Sequence, residues 1–501
     1  MKFERASGIL LHPTSLPGPY GIGDLGPAAY RWVDWLASTG CKLWQILPLG
    51  PTGYGDSPYQ CFSAFAGNPY LISPDLLLEQ GLLSREDLAD MPEWDSRRVD
   101  FGTLYQWKPA LLEKAFRRFL DPSAVLGAGL DPGREEFEFF RAANASWLDD
   151  FALFMAIKEA NGSGGWGGWP ELLRRRDPAA LGEARNSLKD TILRTEFFQF
   201  LFYRQWNALR DYAHQKGLRI IGDIPIFVAM DSSDVWSHPD LFFLDAEGRP
   251  TVVAGVPPDY FSPTGQLWGN PLYRWDVHRK TGYSWWLERL RFTLANVDIV
   301  RIDHFRGFAG YWEIPAGSPT AETGRWVPGP GADFFDVVRA SLGNDLPIIA
   351  EDLGLITPDV IALRDQFSLP GMKVLQFAFS GPDNVFLPHH YLPNCVVYTG
   401  THDNDTAHGW YATAPENEKD FARRYLGVDG TDFSWDLIRA AWASTAVFAL
   451  APMPDWLSLG SQARFNFPSR LGGNWEWRLG EADLSDSLMN KIRDFNWLYQ
   501  R

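Results

Sequence analysis

A (β/α)8 TIM barrel with helical and loop insertions around its C-terminal mouth is the fold class this sequence predicts, on three observations. Short apolar runs recur eight times along 501 residues. Most are followed by a turn-rich, polar or aromatic segment and then by an amphipathic helix. The runs are near-continuously apolar rather than alternating, which marks parallel strands buried on both faces. Strands alternating with helices give a parallel sheet, and eight of them suit a closed barrel, with an open doubly wound sheet as the alternative.

The strand candidates are GILLH (8–12), KLWQILPL (42–49), LRIIGDIPIFV (218–228), VDIVRID (297–303), PIIAED (347–352), MKVLQFAF (372–379), CVVYTGT (395–401) and WLSLGSQARFN (456–466). Helix candidates lie at 27–39 with Gly40 as the cap, 195–217, 283–297, 333–343, 357–367 and 434–450. Proline near a helix start and glycine just past its end are the expected punctuation. About 170 residues separate the second and third strand candidates, where one strand-helix-strand unit needs about 30. A mainly helical insertion is therefore expected at 70–190, and a second at 229–282 after the third strand. With no internal repeat or low-complexity linker, 1–501 reads as a single catalytic barrel domain.

Hydrophobic residues make up 45% and charged residues 22% of the chain, ordinary values for a protein with a large core. A formal net charge of -16 disfavours a nucleic-acid backbone or an anionic membrane as partner, since both would be repelled. Cys41, Cys61 and Cys395 are odd in number, far apart and without a CxxC pair, which fits a reducing cytoplasm. The start MKFERASG lacks the apolar core of a signal peptide, and the longest apolar run, AVFALAPM (446–453), is far short of a bilayer span. Most of the 23 tryptophans are expected in the core, the rest as flat platforms suited to sugar faces.

GIGDLG (21–26) matches the glycine pattern of a dinucleotide loop. Eight residues intervene between GILLH and its first glycine, however, and the next strand ends without an acid to hold a ribose. It is read as a structural turn.

In such a barrel the carboxyl ends of the strands build the site. Asp223 sits in the third strand candidate, Arg301, Asp303 and His304 close the fourth, Glu351 and Asp352 the fifth, and His402, Asp403 and Asp405 follow the seventh. A single acid there is more simply a helix cap or a loop salt bridge, the role expected of Asp333, Asp352 and Asp405. Several acids at one mouth are costly, because like charges brought together raise the pKa of one member. Two carboxylates, one ionised and one protonated, are the apparatus of glycoside cleavage. Arg301, two residues before Asp303 on one strand face, would keep that carboxylate charged.

The set RIDHFRGF (301–308), IAEDLG (349–354), TGTHDNDT (399–406) and GDIPIFV (222–228) resembles the ordered motifs of the α-amylase clan. GILLHPTSLPGPYGIGDLG (8–26), GYGDSPYQCFSAFAGNPYLI (53–72), PPDYFSPTGQLWGNPLY (257–273) and SQARFNFPSRLGGNWEWR (461–478) narrow the resemblance to glycoside hydrolase family 77, the amylomaltases or 4-alpha-glucanotransferases. It implies a retaining transfer of α-1,4-glucan segments between maltodextrins, or within one chain to give cyclic glucans, with a hydrolase of the same clan as the alternative. By resemblance Asp303 is the nucleophile, Glu351 the general acid/base and Asp403 the transition-state stabiliser. Arg301, Asp223 and His402 resemble polar contacts to the sugar whose bond breaks. Tyr59, Phe261, Gln266 and Trp268 resemble the substrate groove, the last three on a loop over the cleft. Tyr54 and Tyr105 resemble a second glucan site. Partners are expected to be maltodextrins and starch- or glycogen-derived glucans, and the protein a monomer.

DNDTAHGWYATA (403–414) begins like a calcium loop, but His408 stands where glycine is needed and Ala414 where the bidentate glutamate belongs. His389 and His390 are adjacent rather than four apart. No required metal and no organic cofactor are expected.

Overall fold

The computed structural model describes residues 3–121, 133–258, 262–468, 470 and 472–501, Tyr54 by its backbone alone. Its strands, in chain order, are β1 (Ala6–Leu10), β2 (Leu43–Gln45), β3 (Arg219–Pro225), β4 (Val252–Val256), β5 (Gln266–Pro271), β6 (Ile299–Asp303), β7 (Gly310–Pro315), β8 (Arg325–Pro328), β9 (Ile348–Ala350), β10 (Gly371–Val374), β11 (Cys395–Tyr398) and β12 (Phe448–Pro452). Eight of them pair in parallel and close into a barrel in the order β1-β12-β11-β10-β9-β6-β3-β2. The fold is the TIM barrel that the alternating pattern predicts. The other four form an antiparallel sheet, β5-β4-β7-β8. Because β4 and β5 follow the end of β3, and β7 and β8 the end of β6, this sheet is an elaboration of the C-terminal face.

Period-two alternation explains how a barrel strand carries charge. Along β6, Ile299 belongs to the cluster inside the barrel, with Leu43, Ile221, Ile349, Met372, Val396 and Leu450. Val300 and Ile302 belong instead to the larger core between strands and helices. Arg301 and Asp303 therefore share the inner face with Ile299. The register with β3 sets Asp223 opposite Arg301 and Pro225 opposite Asp303.

Between β2 and β3 the chain forms the helices Phe101–Leu120, Arg134–Ala160 and Lys189–Gln215, among shorter ones. They interlock through aromatic rings, with Phe119 and Phe197 stacked at 4.4 Å and Phe137 edge-on to both. The third helix also packs onto the barrel, where Trp206 Nε1 donates to the Asn296 carbonyl at 3.1 Å. Among the described residues no helix is long and apolar enough to cross a membrane.

The eighth strand differs from the sequence reading. Residues 456–466 were expected to form it, and the helix before it to run from 434 to 450. The helix instead ends at Ala443, where the next residue, Ser444, turns to an extended ψ of 166°. The apolar run FALAP then becomes β12 and pairs with both β1 and β11. Alanine and leucine favour helices, but two waiting strand edges outweigh that local preference. The 456–466 segment is irregular, with a 3-10 turn at Ser461–Ala463, and crosses the mouth instead.

GIGDLG is a packed turn. Gly21 has φ +77°, and a Cβ on Gly23 would stand 2.0 Å from the Pro13 carbonyl oxygen. Chain lies where a phosphate would need room, so these glycines serve close packing.

Candidate active site

Arg301 organises the mouth. Its guanidinium is buried and reaches Asp223 Oδ2 at 2.6 Å on one side and Asp303 Oδ1 at 3.0 Å on the other. Its Nε lies 3.3 Å from Met372 Sδ, so the barrel interior fixes the fork from below. Bidentate use of a planar guanidinium gives direction as well as charge. Tyr59 donates to the same Asp223 Oδ2 at 2.9 Å. Asp223 Oδ1 is buried without a hydrogen-bond partner among the described residues. Burial pushes the Asp223 carboxyl up to about 6 against the pull of Arg301. Asp303, at the open end of β6, keeps 30% of its side chain exposed and is the reachable member of the pair.

Glu351 follows β9 directly. Its Oε2 accepts the His304 peptide N–H at 2.6 Å and its Oε1 the Leu353 N–H at 2.9 Å. His304 can present that N–H because its backbone is left-handed, with φ 56° and ψ 46°. This conformation is uncommon for a residue with a side chain, and such strain clusters at functional sites. Burial and the neighbouring Asp303 charge push the Glu351 carboxyl up to about 7, with Arg301 and the two peptide donors opposing. A carboxyl in that range is part protonated at neutral pH.

Asp403 stands on the loop after β11. Its side chain is 47% exposed; the partial desolvation works against its charge, but His402 Nε2 at 3.3 Å and the Asn466 amide donating at 2.6 Å outweigh it and hold the carboxyl well below its usual range. His402 responds in the opposite sense. Burial lowers it, yet Asp403 beside it leaves the imidazole net raised. Tyr59 stacks on the His402 ring at 4.9 Å, and Trp475 packs against both.

Trp268 and Gln266, expected on a loop, lie instead on β5, held by its antiparallel pairing with β4, and Trp268 Nε1 donates to Gln266 Oε1 at 3.1 Å. The Trp268 ring meets the His304 ring edge-on at 4.8 Å. Burial pushes the His304 imidazole down to about 3, so it is neutral. Phe261 lies outside the described residues. The mouth thus gathers Asp303, Glu351, Asp403, Arg301, Asp223, His402 and Tyr59, with Trp268 reaching it through His304.

Tyr105 lies apart from this group, on the helix Phe101–Leu120, 36% exposed, with its hydroxyl donating to Asp56. The Tyr54 side chain lies outside the described residues. Asp352 accepts from the Met372 N–H and pairs with Arg364 at 2.5 Å, Asp405 accepts from Ser461 Oγ at 2.8 Å, and Asp333 pairs with Arg279 at 2.6 Å. All three bind protein groups, in loop and surface pairings.

Two contacts escaped the sequence reading. Asn466 holds the Asp403 carboxylate, and Arg464 Nη2 donates to the Asp403 carbonyl at 2.6 Å. Both sit in the segment misread as a strand, where an arginine and an asparagine two apart among glycines and serines were the available signal.

The family model for glycoside hydrolase family 77, described as 4-alpha-glucanotransferase, matches residues 11–483. The chain belongs to this family. It is 54% identical to the 4-alpha-glucanotransferase of Thermus thermophilus, over 98% of each chain. It is 49% identical to that of Synechocystis, over 99% of this chain and 98% of the relative. The solved amylomaltase of Streptococcus agalactiae in complex with acarbose superposes with a TM-score of 0.95 at 40% identity, covering 99% of this chain and all of that one. The activity is 4-alpha-glucan transfer, and the family acts on α-1,4-glucans such as maltodextrins.

Proposed function

We propose that Asp303 is the nucleophile, Glu351 the general acid/base and Asp403 the transition-state stabiliser of a retaining double displacement on α-1,4-glucans. One observation carries the reading. At the ends of adjacent strands stand two carboxyls in opposed surroundings, Asp303 beside the Arg301 guanidinium and Glu351 buried and raised to about 7. Opposed environments assign acid and nucleophile.

Glu351 gives its proton to the glycosidic oxygen while Asp303 attacks the anomeric carbon, and the reducing-side glucan leaves. The positive charge that develops on the sugar is offset by Asp403, which His402 and Asn466 keep ionised and aimed. Glu351, now a carboxylate, removes the proton from the 4-hydroxyl of an incoming glucan. That oxygen attacks the anomeric carbon and frees Asp303. Retention by this route needs the two carboxyls about 5 Å apart. Asp223, Arg301, His402 and Tyr59 hold the sugar whose bond breaks. Asp223 Oδ1, without a hydrogen-bond partner among the described residues, supports this, since a sugar hydroxyl would be a donor to it.

Transfer exceeds hydrolysis because the acceptor side around Trp268 and Gln266 excludes water; Phe261, outside the described residues, is assigned to the same groove by the family resemblance. Tyr54 and Tyr105 form a second glucan site. The whole chain works as one barrel domain, with 70–190 and 229–282 as insertions that shape the groove. The substrates extend to starch- and glycogen-derived glucans. The protein works as a monomer in the cytoplasm, without nucleic-acid partners, consistent with its net charge of -16 and three free cysteines.

Incubation with maltotriose tests the transfer. A ladder of longer maltodextrins plus glucose, with little gain in reducing ends, is expected. Steady growth of reducing ends contradicts it.

A further inference from the structure

We propose that Asp455, which lies outside the acid set, is a positioning residue for Asp403: one buried carboxylate holds both ends of the loop on which Asp403 stands. The proposal rests on the reading of Asp403 as the transition-state stabiliser.

Asp455 lies just past β12 in the short helix Met453–Trp456 and is fully buried. Its Oδ2 accepts from Thr399 Oγ1 at 2.6 Å and its Oδ1 from the Ala407 N–H at 2.7 Å. Thr399 is the first residue after β11, and Ala407 the first of the helix Ala407–Thr413. His402 and Asp403 lie between these two tethers. A loop pinned at one end swings about that end, whereas one pinned at both keeps only local freedom at its apex.

The same carboxylate roots a second segment. Beyond Asp455 the chain returns to the loop, with Ser461 Oγ donating to Asp405 Oδ2 at 2.8 Å and the Asn466 N–H to the His402 carbonyl at 3.2 Å. The Arg464 and Asn466 side chains then reach Asp403 itself. Asp455 thus fixes the register between the loop that carries Asp403 and the segment that orients it.

Two simpler roles account for less. Helix capping is already supplied by Thr406, whose Oγ1 accepts the Gly409 N–H at 3.0 Å. Core stability is poorly served by a buried carboxylate, and among the described residues no Lys, Arg or His forms an ion pair with Asp455. An apolar residue would fill the space at lower cost.

Asp455→Asn keeps both contacts, because the amide oxygen accepts from Ala407 and the amide N–H donates to Thr399 Oγ1. Asp455→Ala removes both, and Thr399→Val removes one while keeping its shape. With α-maltotriosyl fluoride as donor, Asp455→Asn is expected within about threefold of the parent kcat. Asp455→Ala is expected to lose roughly 10- to 100-fold in kcat with KM changed less than about threefold, and Thr399→Val to fall between. The deciding measurement is the same substitution in an Asp403→Ala background, where its effect should shrink below about twofold because the group it positions is gone. Thr399→Val takes its place if Asp455→Ala does not fold. Undiminished kcat in both variants, or losses that multiply with Asp403→Ala, overturn the proposal. Undiminished turnover in Asp403→Ala alone instead overturns the reading of Asp403.

Discussion

Arg301 lies 3.0 Å from Asp303 on the same barrel strand, the guanidinium buried and the carboxylate part exposed. Asp223 holds the other side of that guanidinium at 2.6 Å. Removing the cation would leave a buried acid next to a second acid. Arg301→Leu is therefore expected to destabilise the fold by about 3–5 kcal/mol, the cost of an uncompensated buried charge, and to abolish turnover. Arg301→Lys restores the charge but not the fork, and is expected to recover stability more than activity. Urea unfolding beside kcat measures both.

The pH dependence follows from Glu351. Its carboxyl is raised to about 7 and must be protonated to act as an acid. Activity is then present below that value and lost as pH rises through it, so kcat/KM should fall about tenfold per pH unit on the basic side. Glu351→Gln should lose roughly 10²- to 10⁴-fold on maltodextrins. With α-maltosyl fluoride, whose leaving group needs no proton, the first step should be largely restored, read as a burst of fluoride, while the second step, which needs the missing base, stays slow. A basic limb unchanged in Glu351→Gln contradicts the assignment.

In the proposed mechanism Trp268, edge-on to His304, lines the acceptor side. Trp268→Ala is expected to raise the KM for an acceptor sugar about tenfold, equivalent to about 1.4 kcal/mol, and to raise the share of hydrolysis. Reducing-end assay against product ladders reads the partition directly, and an unchanged ratio removes Trp268 from that role.

GIGDLG supplies a prediction about structure alone. A methyl group on Gly23 would stand 2.0 Å from a backbone oxygen, which a flexible side chain cannot relieve. Gly23→Ala should cost about 1–3 kcal/mol by thermal unfolding. Fluorescence titration with a nicotinamide dinucleotide should show no binding.

Much of the barrel and of the site was legible in the sequence, for one physical reason. Buried parallel strands must be apolar, so a charged residue such as Asp303 at a strand end stands out against Ile299 and Ile302. The eighth strand was not legible, because FALAP is as compatible with a helix as with a strand until the edges of β1 and β11 exist to pair with it. That error also hid Arg464 and Asn466, which act through tertiary contact with a loop some 60 residues earlier. The left-handed backbone of His304 gave no signal either, since no glycine or asparagine marks it.

The central claim is that Asp303 forms a covalent bond to the sugar. Glu351→Gln incubated with α-maltotriosyl fluoride should form the intermediate and break it down slowly, and proteolysis with mass spectrometry should find one maltotriosyl group on the Asp303 carboxylate, within residues 297–308. A maltotriosyl group on any other residue, or full turnover by Asp303→Asn, would contradict the account.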